Sequence, residues 1–128
     1  MTNKFYAVFG LILNESGRIL AVSRKNNFQD FGLPGGKVEK ETVCQALIRE
    51  VQEETGLLPL NFIMLHQTVE SDLNRAYYWI NKFSGNLSSK ENGKIVWLTP
   101  NELLKDNCSF RESNRKFFEK ITNLRSLP

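Results

Sequence analysis

Apolar runs separated by polar turns predict a β-rich first quarter of the chain. Residues 4–14 and 19–24 are mostly apolar and flank the polar segment 15–18, a pattern typical of a β-hairpin. A polar loop at 25–30 comes next, and residues 31–33 are predicted to form a short strand. This strand leads directly into a glycine turn.

Helical and extended patterns alternate in the remaining residues. The expected helices span residues 42–55, a short segment that starts at 99, and 111–124, and the expected strands span 61–69, 76–83 and 94–98. Strands on both sides of the first helix and a helix at the end predict an α/β fold. We expect one mixed β-sheet flanked by helices, in a single domain over residues 1–128.

Cap residues predict the ends of two helices. Residues 42–55 contain no Gly or Pro, and Gly56 is a natural C-terminal stop. Thr99 as N-cap, Pro100 in the first turn and Glu102 as the capping-box acid predict where the short helix begins.

Three carboxylates cluster near the end of the first predicted helix. At about 100° per residue, Glu50, Glu53 and Glu54 share one arc, and their Cβ atoms are expected about 5–6 Å apart. The arc lies at the edge of the apolar, buried side of the helix. Like charges at these spacings destabilise a helix, and acids at its C-terminus oppose the helix dipole. The cluster therefore requires a compensating positive charge.

Two interpretations of the cluster compete. One is a solvated acidic helix face, with Arg49 and nearby lysines as partners. The other is a site for a hard cation such as Mg²⁺, which prefers oxygen ligands and works with substrate phosphates. The preceding turn, Pro34-Gly35-Gly36, favours the second interpretation. Glycine lets the backbone come close to a ligand, and a loop before a helix N-terminus suits anionic groups.

Composition and charge argue against several classes of protein. The 128 residues carry a net charge of +3 with scattered lysines and arginines, so no basic stripe predicts binding to a nucleic-acid polymer. The apolar stretch 5–13 is too short to span a membrane and lacks a signal-peptide cleavage pattern. Cys44 and Cys108 form no disulfide framework or metal-binding spacing. We therefore expect a cytoplasmic protein with no membrane partner.

Residues 35–57 carry the most specific motif in the chain. They fit the pattern Gly-x5-Glu-x7-Arg-Glu-apolar-x-Glu-Glu-x-Gly-apolar, and in this the chain resembles the Nudix hydrolases, in particular the MutT-like members. The resemblance implies the Nudix α/β/α sandwich. It also implies hydrolysis of a nucleoside diphosphate linked to another group, with water and Mg²⁺, or Mn²⁺ as a substitute.

The resemblance also implies roles for individual residues. Arg49 would orient the carboxylates as part of the catalytic group, Glu41 would brace the loop against the helix start, and Gly56 would end the helix. Glu53 is the expected base that takes a proton from water. Taken without the resemblance, Arg49 is an ordinary ion-pair partner and Glu41 an acid favoured by the helix dipole. The implied metal ligands, also the catalytic glutamates, are the carbonyl of Gly35 and the carboxylates of Glu50, Glu53 and Glu54.

Two features depart from the family pattern. The loop from Gly35 to Glu41 is one residue shorter than common family loops and has no glycine before Glu41. Many family members carry an extra Glu just before the last strand, whereas the nearest equivalent here is Lys94. In the family this Glu acts as a base or a further metal ligand, and Glu91 is the alternative candidate for that role. Its other interpretation is an exposed loop acid.

Substrate contacts are expected around the glycine turn. Arg24 resembles an arginine that contacts the nucleotide in MutT-like members, and its other interpretation is a surface arginine. Asn114 is a candidate for contact with a base edge or for a helix cap, and His66 is expected to decorate a strand. The implied pocket floor comprises Gly32, Leu33, Pro34 and Gly35. The candidates for stacking on a base, although aromatic residues at strand spacing are more often core, are Phe28, Phe31, Tyr77 and Tyr78.

Three functional hypotheses remain open. The first is Mg²⁺-dependent hydrolysis of a nucleoside triphosphate, standard or oxidised, to the monophosphate and pyrophosphate, because the chain has no long insertion to hold a second large group. The second is hydrolysis of ADP-ribose, a nucleotide sugar or a dinucleoside polyphosphate. The third is a nucleotide-binding sensor with little catalysis. In each case the partner is a small nucleotide, and the protein is a monomer or a homodimer.

Overall fold

The strands form two sheets in the computed structural model, which describes residues 5–69, 73–88 and 93–121. The strands are β1 Phe5–Leu11, β2 Ile19–Arg24, β3 Asn27–Gly32, β4 Gly35–Lys37, β5 Leu57–Val69, β6 Leu73–Gly85 and β7 Ile95–Leu98. The helices are α1 Val43–Thr55, α2 Pro100–Leu103 and α3 Arg111–Lys120. Position 124 of the last predicted helix lies outside the described residues.

The larger sheet is mixed and the smaller one is antiparallel. The larger sheet has the strand order β4-β1-β6-β5, in which β1 runs parallel to β6 and the other neighbours are antiparallel. The smaller sheet has the order β3-β2-β7. The predicted α/β class is confirmed, but the expectation of one sheet is wrong.

The predicted hairpin of the first two apolar runs is also wrong. Both edges of β1 are taken, by β4 and by β6, so β2 pairs with β3 and β7 instead. Antiparallel contact between the two runs is confined to the turn, where the bridge between Leu13 and Ile19 lies between two backbone hydrogen bonds, from the Asn14 N–H to the Arg18 carbonyl and from the Leu20 N–H to the Ile12 carbonyl. In this turn the Asn14 side chain also accepts from the backbone N–H of Ser16 and Arg18. The turn was predicted correctly, and its pairing partners were not.

Strand β3 lies where the sequence predicted a polar loop. It pairs antiparallel with β2, with Val22 opposite Gly32 and Ser23 opposite Phe31. Its first three residues, 27–29, are exposed because β3 is the outer strand of its sheet. An outer strand that buries few side chains lacks the apolar alternation by which strands are recognised in sequence.

Helix α1 begins within one residue of its predicted start and ends at the predicted stop, Gly56. The Thr42 hydroxyl accepts from the backbone N–H of Gln45, and the Gln45 side chain accepts from the Thr42 backbone N–H, which completes a capping box. At the other end Gly56 adopts a left-handed conformation, and its N–H donates to the Gln52 carbonyl. Both ends are therefore held by local hydrogen bonds.

The helices lie on two separate cores. Leu47 and Val51 of α1 pack with Val8 of β1 and Ile80 of β6 in one core, and all four are fully buried or nearly so. The second core contains Leu11 and Tyr77 of the larger sheet, Ile19 of the smaller sheet, Leu103 of α2 and Phe117 of α3. This arrangement places strands between α1 and the last two helices. In the described ranges, each helix is too short or too polar to cross a membrane.

Two glycines with the same backbone conformation provide a test of the close contact at the end of α1. Gly17 and Gly56 have φ of +81° and +80°, but a Cβ at Gly56 would lie 2.4 Å from the Asn86 carbonyl oxygen, whereas Gly17 has nothing within 4 Å. We expect Gly17→Ala to lower the free energy of unfolding by about 1–2 kcal/mol, the usual cost of a left-handed alanine. Gly56→Ala should cost clearly more, and urea denaturation would measure both. Equal losses would contradict the close contact.

Candidate active site

The glycines predicted to form a turn begin strand β4, which pairs directly with β1; the name glycine turn is kept for residues 34–36. Gly35 pairs with Phe9, and a Cβ at Gly35 would lie 2.0 Å from the Val8 carbonyl oxygen and 2.8 Å from the Phe9 Cα. Its φ of +156° also disfavours a side chain. Only glycine therefore fits at this position, which brings the turn close to the strand.

Two of the three clustered carboxylates lie on the backbone of this turn. The Gly35 N–H donates to Glu54, at 3.0 Å from Oε2 and 3.4 Å from Oε1. The Glu50 carboxylate covers Gly36 so closely that a Cβ there would lie 2.7 Å from the carboxyl carbon. The absence of side chains in the turn thus makes room for the acids of α1.

Arg49 supplies the positive charge that the acidic cluster requires. Its Nε lies 3.2 and 3.1 Å from the two Glu41 carboxylate oxygens, and one terminal nitrogen lies 2.6 Å from Oε1 of Glu41. The other terminal nitrogen donates to Glu50 Oε1 at 2.9 Å and lies 3.6 Å from Glu53 Oε2. The hydrogen bonds to Glu41, and to a smaller extent the one to Glu50, raise the pKa of Arg49. The hydrogen bonds from Arg49 lower the pKa of Glu41. Arg49 therefore stays charged and binds the loop to the helix.

The third carboxylate, Glu53, has a different environment. Its side chain is 41% exposed, whereas that of Glu50 is 15% exposed. Glu54 lines a cavity beside the glycine turn. Glu53 lies instead beside a groove on the outer side of α1. Among the described residues, no three acidic, histidine or cysteine side chains converge closely enough to hold a metal. The donor chemistry of the carboxylates and the nearby turn nevertheless suits a hard cation.

A cavity of about 610 Å³ opens beside the glycine turn. Four of the five predicted substrate-contact residues line it, namely Arg24, Gly32, Leu33 and Gly35. Pro34 does not line it; this residue is buried, and its carbonyl oxygen accepts from the Gly10 N–H at 2.8 Å. The turn thus contributes to the cavity through its neighbours, and Pro34 anchors it to β1.

The cavity has an excess of positive charge. Its described lining includes the cations Arg24, Lys25, Lys37 and Arg75 against the acids Asp30 and Glu54. Opposite charges attract across a cleft and raise the local concentration of a charged ligand. The cavity is therefore suited to a polyanion that meets the carboxylates of α1 at one end.

The aromatic residues of the cavity are Phe9 and Phe110, which the sequence did not single out. Of the four predicted stacking residues, none lines it: Phe28 is exposed, Phe31 packs against the second core, and Tyr77 and Tyr78 are buried. Phe9 looked like an ordinary strand residue. A signal for Phe110 was available, since it is an aromatic residue outside any apolar period, just before α3.

Other candidate residues lie outside the cavity lining. Asn114 is buried in α3, and its amide nitrogen has no hydrogen-bond partner among the described residues. His66 stacks on Tyr77 and Phe117, and burial lowers its pKa. The Lys94 side chain is exposed, and Glu91 lies outside the described residues.

The ion pair between Arg49 and Glu41 predicts a pH dependence of stability. Because the folded state lowers the pKa of Glu41, its stabilising contribution is present above the ordinary carboxyl pKa and is lost as pH falls through the lowered one. We expect Glu41→Gln to melt at a lower temperature than the wild type at pH 7, with the gap closing below about pH 4. Thermal unfolding from pH 7 to 3 would measure it.

The matched control is Glu39→Gln, which changes an exposed carboxylate two residues away that makes no ion pair in the described part of the chain. This variant should melt close to the wild type at every pH. A Glu41→Gln gap that stays constant down to pH 3 would contradict the role assigned to the ion pair.

Comparison with known proteins agrees with this geometry. The NUDIX domain family model matches residues 3–121. An 8-oxo-dGTP diphosphatase of Haemophilus influenzae is 32% identical over 124 residues, which cover 89% of this chain and 88% of that protein. The CTP pyrophosphohydrolase of Escherichia coli is 33% identical over 109 residues, 79% of this chain and 81% of that protein.

Two further likenesses are of different extent. The ADP-ribose pyrophosphatase of Methanocaldococcus jannaschii is 53% identical, but over 51 residues that cover 38% of this chain and 30% of that enzyme. A solved structure from a study of MutT from Aliivibrio salmonicida and Vibrio cholerae superposes with a TM-score of 0.76 at 25% identity, covering 94% of this chain and 98% of that one. With a family match over nearly its whole length, the chain belongs to the Nudix family of pyrophosphohydrolases.

Proposed function

We propose that this chain hydrolyses a nucleoside triphosphate, standard or oxidised, to the nucleoside monophosphate and pyrophosphate. One observation carries the proposal: Glu50 and Glu54 lie on the backbone of the glycine turn, at the edge of a cavity with an excess of cationic side chains. The names of two relatives that match most of the chain, a CTP pyrophosphohydrolase and an 8-oxo-dGTP diphosphatase, support the choice of a triphosphate.

The proposal includes a divalent cation, Mg²⁺ or in its place Mn²⁺. Its ligands would be the carboxylates of Glu50, Glu53 and Glu54 and the carbonyl oxygen of Gly35. These are hard oxygen donors, as Mg²⁺ prefers, and the substrate phosphates would complete its coordination. When bound, the ion supplies neutralisation of phosphate charge and a water of lowered pKa.

The side chains of this chain would hold and orient the reacting groups. Arg49 keeps Glu50 and Glu53 in place through its hydrogen bond and ion pair. Glu53 is the proposed base because its carboxylate is more exposed than that of Glu50. It also lies farther from Arg49, at 3.6 Å compared with 2.9 Å. Arg24 would bind the phosphate or nucleotide, and the pocket floor would be formed by Gly32, Leu33 and Gly35, with Pro34 holding the turn to β1. Phosphoryl transfer depends mostly on such positioning and charge stabilisation.

A product analysis with purified protein and Mg²⁺ tests this function. The panel contains standard and oxidised nucleoside triphosphates, ADP-ribose, nucleotide sugars and dinucleoside polyphosphates. We expect monophosphate and pyrophosphate from a triphosphate. Cleavage confined to ADP-ribose or the other larger compounds would contradict the triphosphate proposal and favour the second hypothesis, for which the short, highly identical archaeal match is the support. Nucleotide binding without turnover would favour a sensor.

Carboxamide substitutions test the roles of the acids. Glu53→Gln and Glu54→Gln should each lower kcat by about 10²–10⁴-fold, the range expected when a general base or a charge that holds the reacting groups is lost. Glu112→Gln is the matched control, because Glu112 is an exposed acid that pairs with Arg115 on α3. A Glu54→Gln variant with wild-type turnover would contradict the assignment.

Removal of divalent cations tests the metal separately. We expect a chelator to abolish turnover. The carboxylates of α1 carry the same negative charge as the phosphates, so only a bound cation between them can neutralise it. Mg²⁺ should restore activity on addition, and Mn²⁺ should substitute for it. Steady-state rates before chelation, after chelation and after each addition provide the measurement, and turnover that persists in excess chelator would contradict a metal-dependent reaction.

A further inference from the structure

The segment between α2 and α3 is fastened to the outer strand of the smaller sheet. The Ser109 N–H donates to Asp30 Oδ1 at 2.8 Å, and the Ser109 hydroxyl donates to Asp30 Oδ2. Beside this pair, the Asn107 side-chain amide donates to the Gln29 carbonyl at 2.7 Å. Three hydrogen bonds thus connect β3 to a segment far along the chain. We call the Asp30–Ser109 pair the latch.

Asp30 is an unusual residue for this place. Its side chain is 5% exposed, and it lies in the wall of the cavity. Removing a carboxylate from water is costly unless hydrogen bonds replace the lost hydration. Ser109 supplies two of these bonds, and the nearest cation, Arg24, is farther away, with its Nε at 3.9 Å. The buried charge is therefore satisfied mainly by the segment that it holds.

The latch determines where Phe110 lies. Phe110 follows Ser109 directly and forms the boundary of α3, which begins with no hydrogen bond from a capping side chain. The Ser109 hydroxyl is directed at Asp30 instead. The Phe110 ring lies 6.2 Å from the Phe9 ring and close to Gly32, where an added Cβ would be 3.5 Å from Phe110 Cδ2. Phe110 stays 39% exposed and lines the cavity.

We propose that Asp30 is a positioning residue that, through Ser109, holds Phe110 in the cavity wall, where the ring stacks on the nucleobase. The inference rests on the proposed function in that the ligand is a nucleotide. An exposed aromatic face beside Gly32, which leaves space, suits a flat ring. The carboxylates of Glu50 and Glu54 lie on the backbone of Gly36 and Gly35, whereas Phe110 lies against Gly32, so we assign the latch to the base and not to the phosphates.

Binding measurements test the latch without relying on turnover. The ligands are the α,β-methylene analogues of dGTP and CTP, which resist cleavage between the α and β phosphates, and inorganic triphosphate, which has no base. Calorimetric titration in the presence of Mg²⁺ gives each Kd. The wild type should bind an analogue more tightly than inorganic triphosphate, since base–aromatic stacking adds to phosphate binding.

Substitutions then separate the latch from a general loss of structure. Asp30→Ala, Ser109→Ala and Phe110→Ala should each weaken analogue binding about tenfold, the effect expected for losing one stacked base, and leave inorganic triphosphate unchanged. Phe110→Tyr keeps the ring and should bind as the wild type does. Asp30→Asn keeps both contacts with Ser109, because its amide oxygen accepts from the Ser109 N–H and its amide nitrogen donates to the hydroxyl oxygen, and it should retain most of the affinity. Asp106→Asn, an exposed acid of the same segment, is the matched control.

A double variant shows whether Asp30 acts through the ring. With Phe110→Ala already present, adding Asp30→Ala should weaken binding no further, because the stacking contact is already lost. Additive losses, equal weakening of the base-free ligand, or an Asp30→Asn variant as weak as Asp30→Ala would overturn the proposal. The last result would instead assign Asp30 a charge effect on Arg24. Thermal unfolding identifies any variant that fails to fold, and Ser109→Ala then replaces Asp30→Ala.

Analogue binding and triphosphate cleavage, measured together, distinguish a failure of the latch from a failure of the proposed reaction. A wild type that binds the analogues through Phe110 but cleaves no triphosphate contradicts the proposed reaction and supports the latch. A wild type that cleaves triphosphates but binds the analogues no more tightly than inorganic triphosphate overturns the latch and leaves the reaction standing.

Discussion

The guanidinium group of Arg49 allows an acidic helix end to exist in this fold. Three carboxylates within one turn of α1 repel each other and oppose the helix dipole. Arg49 contacts two of them, Glu50 and Glu53, together with Glu41 of the preceding loop and the Lys37 carbonyl. A planar guanidinium has several N–H donors and contacts all of these groups at once. The ammonium group of a lysine is a compact point charge and lacks that planar arrangement of donors. The loop, the glycine turn and the helix are therefore one electrostatic unit.

The cavity combines this unit with parts of both sheets. The acids of the cavity lining come from α1 and β3, as Glu54 and Asp30 show. The cations come from the end of β2, from β4 and from β6, as Arg24, Lys37 and Arg75 show. The aromatic wall comes from β1 and from the start of α3. A cleft that carries both cations and carboxylates suits a polyphosphate ligand with a metal. The fold thus brings acidic, cationic and aromatic side chains from different elements to one cavity.

Local features were readable in the sequence, and long-range pairing was not. The stop of α1 at Gly56 depends on neighbours within a few residues, so the pattern predicted it. The division into two sheets depends on which strand occupies each edge of β1, and no local pattern encodes that choice. Asp30 was missed for the same reason, because it meets Ser109 only through a contact between distant segments. The motif predicted the position of Arg49 and the acids, while the cavity wall required the fold.

The parallel pairing of β1 with β6 has a consequence for folding kinetics. Val8 lies opposite Ala76 in this pairing, and all of the glycine turn and α1 lie between them in the chain. Closing so long a loop slows folding relative to local contacts. During synthesis the turn, helix and β1 can assemble first, whereas the cavity gains its β6 wall only after the second half of the chain has emerged. A ribosome-bound fragment that ends before β6 would therefore carry the acidic cluster without a pocket, and would expose the apolar face of β1.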